Sequence, residues 1–238
     1  MKALKKQFIA AIAMTLVAAI ALGSSTYAWF ANNTSVTATG LSIKAKSDNA
    51  FMLISADKTT AAEIQTQGKT TVDLATPGEA TPNQLYPSAH ETISKTADAN
   101  TLSNWYTASG KDPSKVEMDT GTKKALDTMN GYIIHKTVYL TVSKGSVPVS
   151  NITVKADVTG TEVNACYVLV TSETVATEVS KSNPASSTSL GGVNENSVLQ
   201  VDIYAYIYGN DNSIYSNNKD KLGTGDITLT FSGTPTAS

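Results

Sequence analysis

Several stretches of the chain alternate apolar and polar residues with a period of two, the pattern of a strand with one buried face. "NITVKADV" sets Ile152, Val154, Ala156 and Val158 on one side. "VYLTV" turns Val138, Leu140 and Val142 inward, with Tyr139 and Thr141 opposite. "LQVDIYAYIYG" aligns Val201, Ile203, Ala205 and Ile207 on one face and Asp202, Tyr204, Tyr206 and Tyr208 on the other. "DITLTFSG" aligns Ile227, Leu229 and Phe231. "ACYVLVT" and "FMLIS" are apolar on both faces and read as central, covered strands. Gly145, Pro148, Gly160, Gly191, Gly192 and Gly209 punctuate the gaps.

About seven strands with no amphipathic helix between them argue against βαβ units. The expected fold is all-β: an antiparallel two-sheet sandwich, jelly-roll-like or immunoglobulin-like. Residues 56–130 are polar and carry Pro77, Pro82, Pro87 and Pro113, so they read as a long insertion with short helices around "ANTLSNWY" and "TKKALDTM". Residues 171–192 read as a second long loop. The tyrosine face of residues 204–208 has two readings, cross-strand packing on a half-covered sheet and a platform for a carbohydrate or a partner.

The N-terminus follows a different pattern. Lys2, Lys5 and Lys6 precede "FIAAIAMTLVAAIALG", and Thr26 and Ala28 place small residues three and one positions before a cut at Ala28–Trp29. This is the three-part plan of a secretory signal peptide, and the apolar run is shorter than the ~20 residues of a membrane span. Residues 1–28 are therefore expected to be removed. The C-terminal "LTFSGTPTAS" has no sorting pentapeptide, apolar anchor or basic tail. After Trp29, "WFANNTSVTATG" has strand character, and the alternation changes phase at Gly40, from Val36 and Ala38 to Leu41, Ile43 and Ala45. A phase change at glycine predicts a bulge or a bend. The expected organisation is a signal peptide (1–28), an N-terminal strand segment (29–40) and a β domain (41–238).

Composition narrows the function. The 18 basic residues are all Lys, against 20 acidic ones, giving a net charge of −2. Without Arg, the bidentate contacts that nucleic-acid readers use are missing, and nucleic acid is not an expected partner. The one cysteine, Cys166, lies among apolar residues and reads as a small buried hydrophobe. It has no intramolecular disulfide partner. The two histidines, His90 and His135, do not form a zincin motif, and no nucleophile elbow, P-loop or dinucleotide fingerprint occurs. No catalytic, metal or cofactor residue is expected. "GNDNSIYSNNKDK" offers Asp211, Asn212 and Asp220 to calcium but lacks the EF-hand spacing, so an Asn-rich turn is the alternative. Asn32 and Asn151 open N-x-[ST] sequons, which matter in a glycosylating host.

The first fifty residues carry a more specific signal. Thr26-Tyr27-Ala28, then Trp29-Phe30, a polar gap and "ATGLSIKAKSDN" resemble the start of the TasA and camelysin family. Ala38, Gly40, Leu41, Ile43 and Ala45 follow the family's strand outline, with Leu41 one place early. The resemblance implies export through a dedicated signal peptidase and a jelly-roll subunit of an extracellular or biofilm-matrix fibre. It also implies polymerisation by donation of the N-terminal strand, through Trp29, Phe30, Val36, Ala38 and Gly40, to a neighbouring copy. Minor fibre or anchoring subunits are further expected partners. Two alternatives stand beside it, a monomeric secreted adhesin and a secreted protease of the camelysin kind.

Overall fold

The computed structural model describes residues 43–47, 52–74, 85–109, 122–159, 165–209 and 226–236. Within them few of the residues are in helices and about half are in strands. In chain order these are β1 (Ile43–Ser47), β2 (Met52–Ser55), β3 (Thr71–Asp73), β4 (Ala89–His90), β5 (Trp105–Ser109) and β6 (Thr122–Ala125). They continue with β7 (Ile133–Val142), β8 (Val149–Thr159), β9 (Cys166–Thr171), β10 (Ala176–Ser180), β11 (Leu199–Ile207) and β12 (Asp226–Pro235). Two short helices, α1 (Ala61–Gln67) and α2 (Thr96–Ala99), and a 3-10 turn at Leu102–Asn104 complete the elements. The all-β class read from the alternation is correct.

The strands form three sheets. A four-stranded sheet has the order β3-β1-β12-β8, and a five-stranded sheet the order β10-β9-β11-β7-β2. A small third sheet has the order β4-β5-β6. Every pairing is antiparallel except β1 with β12, which run parallel from Ile43 beside Ile227 to Ser47 beside Phe231.

The period-two residues point where the sequence places them. Ile152, Val154, Ala156, Val158, Ile227, Leu229 and Phe231 of the first sheet join Val138, Leu140, Val142, Val201, Ile203, Ala205 and Ile207 of the second in one buried cluster. Each such side chain contributes about 1.5–3 kcal/mol by leaving water. β8 absorbs an irregularity on the way. Ser232 pairs with Thr153 but Thr234 pairs with Ser150, so β8 holds one extra residue there. Asn151 takes it up with φ at 51°. This bulge lets both Val149 and Ile152 reach the core.

Some expectations are corrected. "TKKALDTM" starts as strand β6, not as a helix. β2 is buried as expected but stands last in its sheet order rather than at the centre. Residues 171–192 are not simply a loop, because β10 lies within them. The helix α1 was not foreseen, although Thr60-Ala-Ala-Glu63 is a capping box. Thr60 Oγ1 accepts from the Glu63 amide at 3.4 Å and donates to its carboxylate at 2.5 Å. Ile64, fully buried, anchors the helix.

Edge strands expose unpaired backbone groups, and here two edges are closed by neighbouring chain. On β2, the Ile54 amide donates to the Lys69 carbonyl at 2.8 Å, and the Lys69 amide returns to Ile54 at 3.2 Å. On β8, the irregular stretch after β10 acts as a strap. Val149 and Val193 exchange two bonds of 2.8 Å, and Ile152 donates to Gly191 at 2.9 Å. Leu190 donates to Ile152 at 2.7 Å, Ser186 to Val154 at 3.0 Å and Ala156 to Pro184 at 2.7 Å. Leu190 and Val193 turn into the core. Gly191 adopts φ of 139°, and a Cβ on Gly192 would stand 2.8 Å from the Val149 carbonyl oxygen, so neither position accepts a side chain without distortion. Leu190→Ala is expected to cost about 2–5 kcal/mol in chemical denaturation. Ser187→Ala, on the exposed side of the same strap, is expected to stay within about 0.5 kcal/mol.

Candidate functional site

The face of the five-stranded sheet that turns away from the shared core is the chemically richest surface among the described residues. Period two along β11 places Asp202, Tyr204 and Tyr206 there, and the register sets each beside a chosen neighbour. Asp202 lies between Thr137 and Thr171, Tyr204 between His135 and Leu169, and Tyr206 between Ile133 and Tyr167. The face therefore has a polar end and an aromatic end.

The aromatic end is a second core. Residues from the insertion lie over it: Ile93, Ala99, Trp105 and Leu126 pack with Ile133, Leu169, Tyr204 and Tyr206. Tyr204, Tyr206 and Trp105 have no exposed surface. This corrects the half-covered sheet expected from the sequence, and Tyr204 and Tyr206 present no open platform. The rings meet edge-on or tilted, Trp105 to Tyr206 at 5.3 Å and Trp105 to Tyr204 at 5.9 Å between centroids, arrangements that suit the ring quadrupoles. Each polar tip has a partner. The Trp105 indole N–H donates to the Ala99 carbonyl at 2.8 Å, and the Tyr204 hydroxyl donates to Asn100 Oδ1 at 2.8 Å. The Tyr206 hydroxyl donates to Glu178 Oε2. Burial first, and the Glu178 carboxylate after it, pushes the Tyr206 phenol well above its ordinary pKa.

His90, on β4, joins the insertion to the sheet. Its Nε2 lies 3.1 Å from Glu178 Oε2 on β10, and its Nδ1 lies 2.7 Å from the Glu91 carbonyl oxygen. Both ring nitrogens face acceptors, an arrangement that the doubly protonated ring satisfies. The ring also meets Trp105 edge-on at 4.9 Å.

The polar end centres on Asp202, whose side chain is 3% exposed. Its Oδ1 accepts from Thr137 Oγ1 at 2.6 Å and lies 3.0 Å from His135 Nε2. Its Oδ2 accepts from Gln200 Nε2 at 2.9 Å. Burial opposes ionisation, but the hydrogen bonds from His135, Thr137 and Gln200 outweigh it and hold the carboxyl below its ordinary value. The His135 ring stacks on Tyr204 at 4.4 Å with the planes 4° apart. An Asp-oriented imidazole is also the geometry of a general base. The described residues hold no cluster of three or more metal-ligating side chains. Cys166 is buried and its thiol is pushed up to about 12 by desolvation, which keeps it from acting as a thiolate. The arrangement orients and locks the sheet face.

The sequence-predicted site residues fall elsewhere. Ala28, Trp29, Phe30, Val36, Ala38 and Gly40, and the loop containing Asp211, lie outside the described residues. The pairing of each histidine with a carboxylate was not foreseen. His90 and Glu178 are 88 positions apart, and His135 and Asp202 are 67 apart. One signal was present: Asp202 is the one charged residue in its strand, and His135 and Thr137 share a parity in another. Comparison with protein-family models, with curated proteins and with solved structures finds no match.

Asp202→Ala removes a buried acceptor from three donors that still reach solvent, and is expected to cost about 1–3 kcal/mol in total. The native carboxyl binds its proton more weakly than the unfolded one. Its stabilisation is therefore complete above the unfolded pKa of about 3.9 and is lost as pH falls through the lower folded value. Thermal melts from about pH 6 to pH 2 should show a shallower acid-side decline for Asp202→Asn than for the unchanged chain.

Proposed function

We propose that this chain is a secreted, non-enzymatic structural subunit that polymerises into surface or biofilm-matrix fibres of pilus-like form. The N-terminal segment released by cleavage at Ala28–Trp29 adds as a strand to a neighbouring copy. The four- and five-stranded sheets, facing one another over the shared core, are read as a jelly-roll-like sandwich, the body of the subunit.

One observation carries this reading. β1 enters its sheet in the interior, between β3 and β12, so it is paired on both sides within its own subunit. The segment ahead of β1 is thus joined directly to a fixed strand of its own subunit. In this reading it hands its backbone hydrogen bonds and the apolar side chains Phe30, Val36 and Ala38 to another subunit. Burying those side chains contributes several kcal/mol, at about 1.5–3 for each large one. Composition points the same way, because a chain with a single buried thiol and no disulfide gains stability through assembly. The expected partners are further copies of the chain, the signal peptidase during export, and minor anchoring subunits.

Electron microscopy of the purified mature chain should show filaments. Removing residues 29–39 should leave a folded monomer with unchanged far-ultraviolet circular dichroism and no filaments. Filaments that persist without these residues would refute strand donation, and a chain that stays monomeric in every condition would favour the adhesin alternative. Hydrolysis of a protein substrate that a chelator abolishes would favour the protease.

A further inference from the structure

The insertion that covers the tyrosine face is joined to the rest of the fold at a neck, and two tyrosines stand at that neck. Tyr86 lies just before β4, and Tyr132 lies just before β7. Between them the chain runs through the third sheet, α2 and Trp105. The two sides of the neck are held by backbone: the Tyr86 amide donates to the Gly131 carbonyl at 2.8 Å. Gly131 turns the chain with φ of 80°, and the amides of Tyr132 and Ile133 donate to the Met129 carbonyl at 3.0 and 2.9 Å. Leu85 and Ile133, one residue away on either side, are buried and fix the positions from within.

The two phenol rings therefore meet in one defined arrangement, with centroids 5.7 Å apart and planes inclined at 44°. Tyr86 is nevertheless 59% exposed, the largest exposure of any bulky hydrophobic side chain among the described residues. A solvent-facing ring held against a second ring is open to a one-electron oxidant and has its coupling partner within reach. Among the described residues, the other tyrosines that stand against a second aromatic ring are less available. Tyr204 and Tyr206 are fully buried and their hydroxyl protons are committed to Asn100 and Glu178. Tyr167 and Tyr208 approach more closely, at 4.8 Å, but both are half-buried, whereas half-buried Tyr132 faces a ring that is open to solvent.

We propose that Tyr86 and Tyr132 are a site of oxidative cross-linking, at which a peroxide-driven one-electron oxidant joins the two rings as dityrosine. Each phenol loses one electron and one proton to become a tyrosyl radical, and the radicals join through a carbon ortho to each hydroxyl. Each ring then sheds its ortho hydrogen as a proton and regains a phenolic proton as it becomes aromatic again. In total two ring C–H bonds are replaced by one C–C bond, while one hydrogen peroxide, acting through a haem peroxidase, is reduced to two waters. The product closes the neck of the insertion covalently. In a chain whose one thiol is buried, this supplies the staple that a disulfide supplies elsewhere, by restricting the unfolded chain.

The test uses the purified chain at low concentration, treated with a haem peroxidase and hydrogen peroxide. The expected product is a monomer with dityrosine fluorescence, and its digest contains Tyr86 and Tyr132 peptides joined with the loss of two hydrogen atoms. Tyr86→Phe and Tyr132→Phe should each abolish that product, whereas Tyr167→Phe should leave it. The cross-linked chain should melt about 5–15 °C higher than the untreated one, a shift absent from treated Tyr86→Phe. Dityrosine that persists in Tyr86→Phe, that maps to Tyr167 and Tyr208, or that joins only separate molecules would overturn the assignment. Filament formation plays no part in these measurements, so this result and the assembly experiment stand or fall separately.

Discussion

A sheet that is apolar on both faces must be covered on both faces, and the five-stranded sheet is apolar on both. Its inner residues, such as Val138, Leu140, Ile203 and Ala205, join the shared core, and its outer residues Leu169, Tyr204 and Tyr206 join the second. The four-stranded sheet covers one side and the insertion covers the other. Exposing either would leave an apolar patch larger than folded monomers tolerate. The insertion is therefore a structural layer, held by a few directional contacts. His90 and Tyr206 meet at the Glu178 carboxylate, Thr96 bonds to Thr171, and Tyr204 bonds to Asn100. Asp202 marks where the apolar cover ends and polar bonding takes over.

The same economy governs the edges. β8 is eleven residues long and alternates cleanly from Ile152 onward, the kind of edge on which another chain can pair. It is denied to other chains by a strap with no regular strand geometry, which follows the bulge at Asn151 and needs the two glycines at its crossing. For assembly by strand donation, this means that an incoming strand either uses another edge or first displaces Leu190 and Val193 from the core.

Alternation made the main strands readable, because β7, β8, β11 and β12 each turn one apolar face to the shared core, and the period survives along most of each strand even where, as in β11, the other face is covered too. The face of each residue in "NITVKADV" and "LQVDIYAYIYG" followed directly. The covering of the tyrosine face did not follow, since a strand lined with tyrosines has the same pattern whether its rings meet solvent or Trp105. The insertion was harder still: β4 and β6 are two and four residues long, below the length at which a period can be recognised. Thr122–Ala125, with its two lysines, has helix-favouring composition, and pairing with β5 overrides it. The strap and the histidine–carboxylate contacts are products of the three-dimensional arrangement, joining residues whose local sequence carries no mark of the partner.

The parallel pairing of β1 with β12 joins the two extremes of the described chain. Contacts so far apart in sequence carry a large loop-closure cost before they stabilise anything, and they slow folding. The four-stranded sheet lacks its central seam until the last strand has been made, and β8 and β1 have no common neighbour before then. A chain emerging from the ribosome thus cannot close its four-stranded sheet until β12 has been made, whatever the other sheets have done by then.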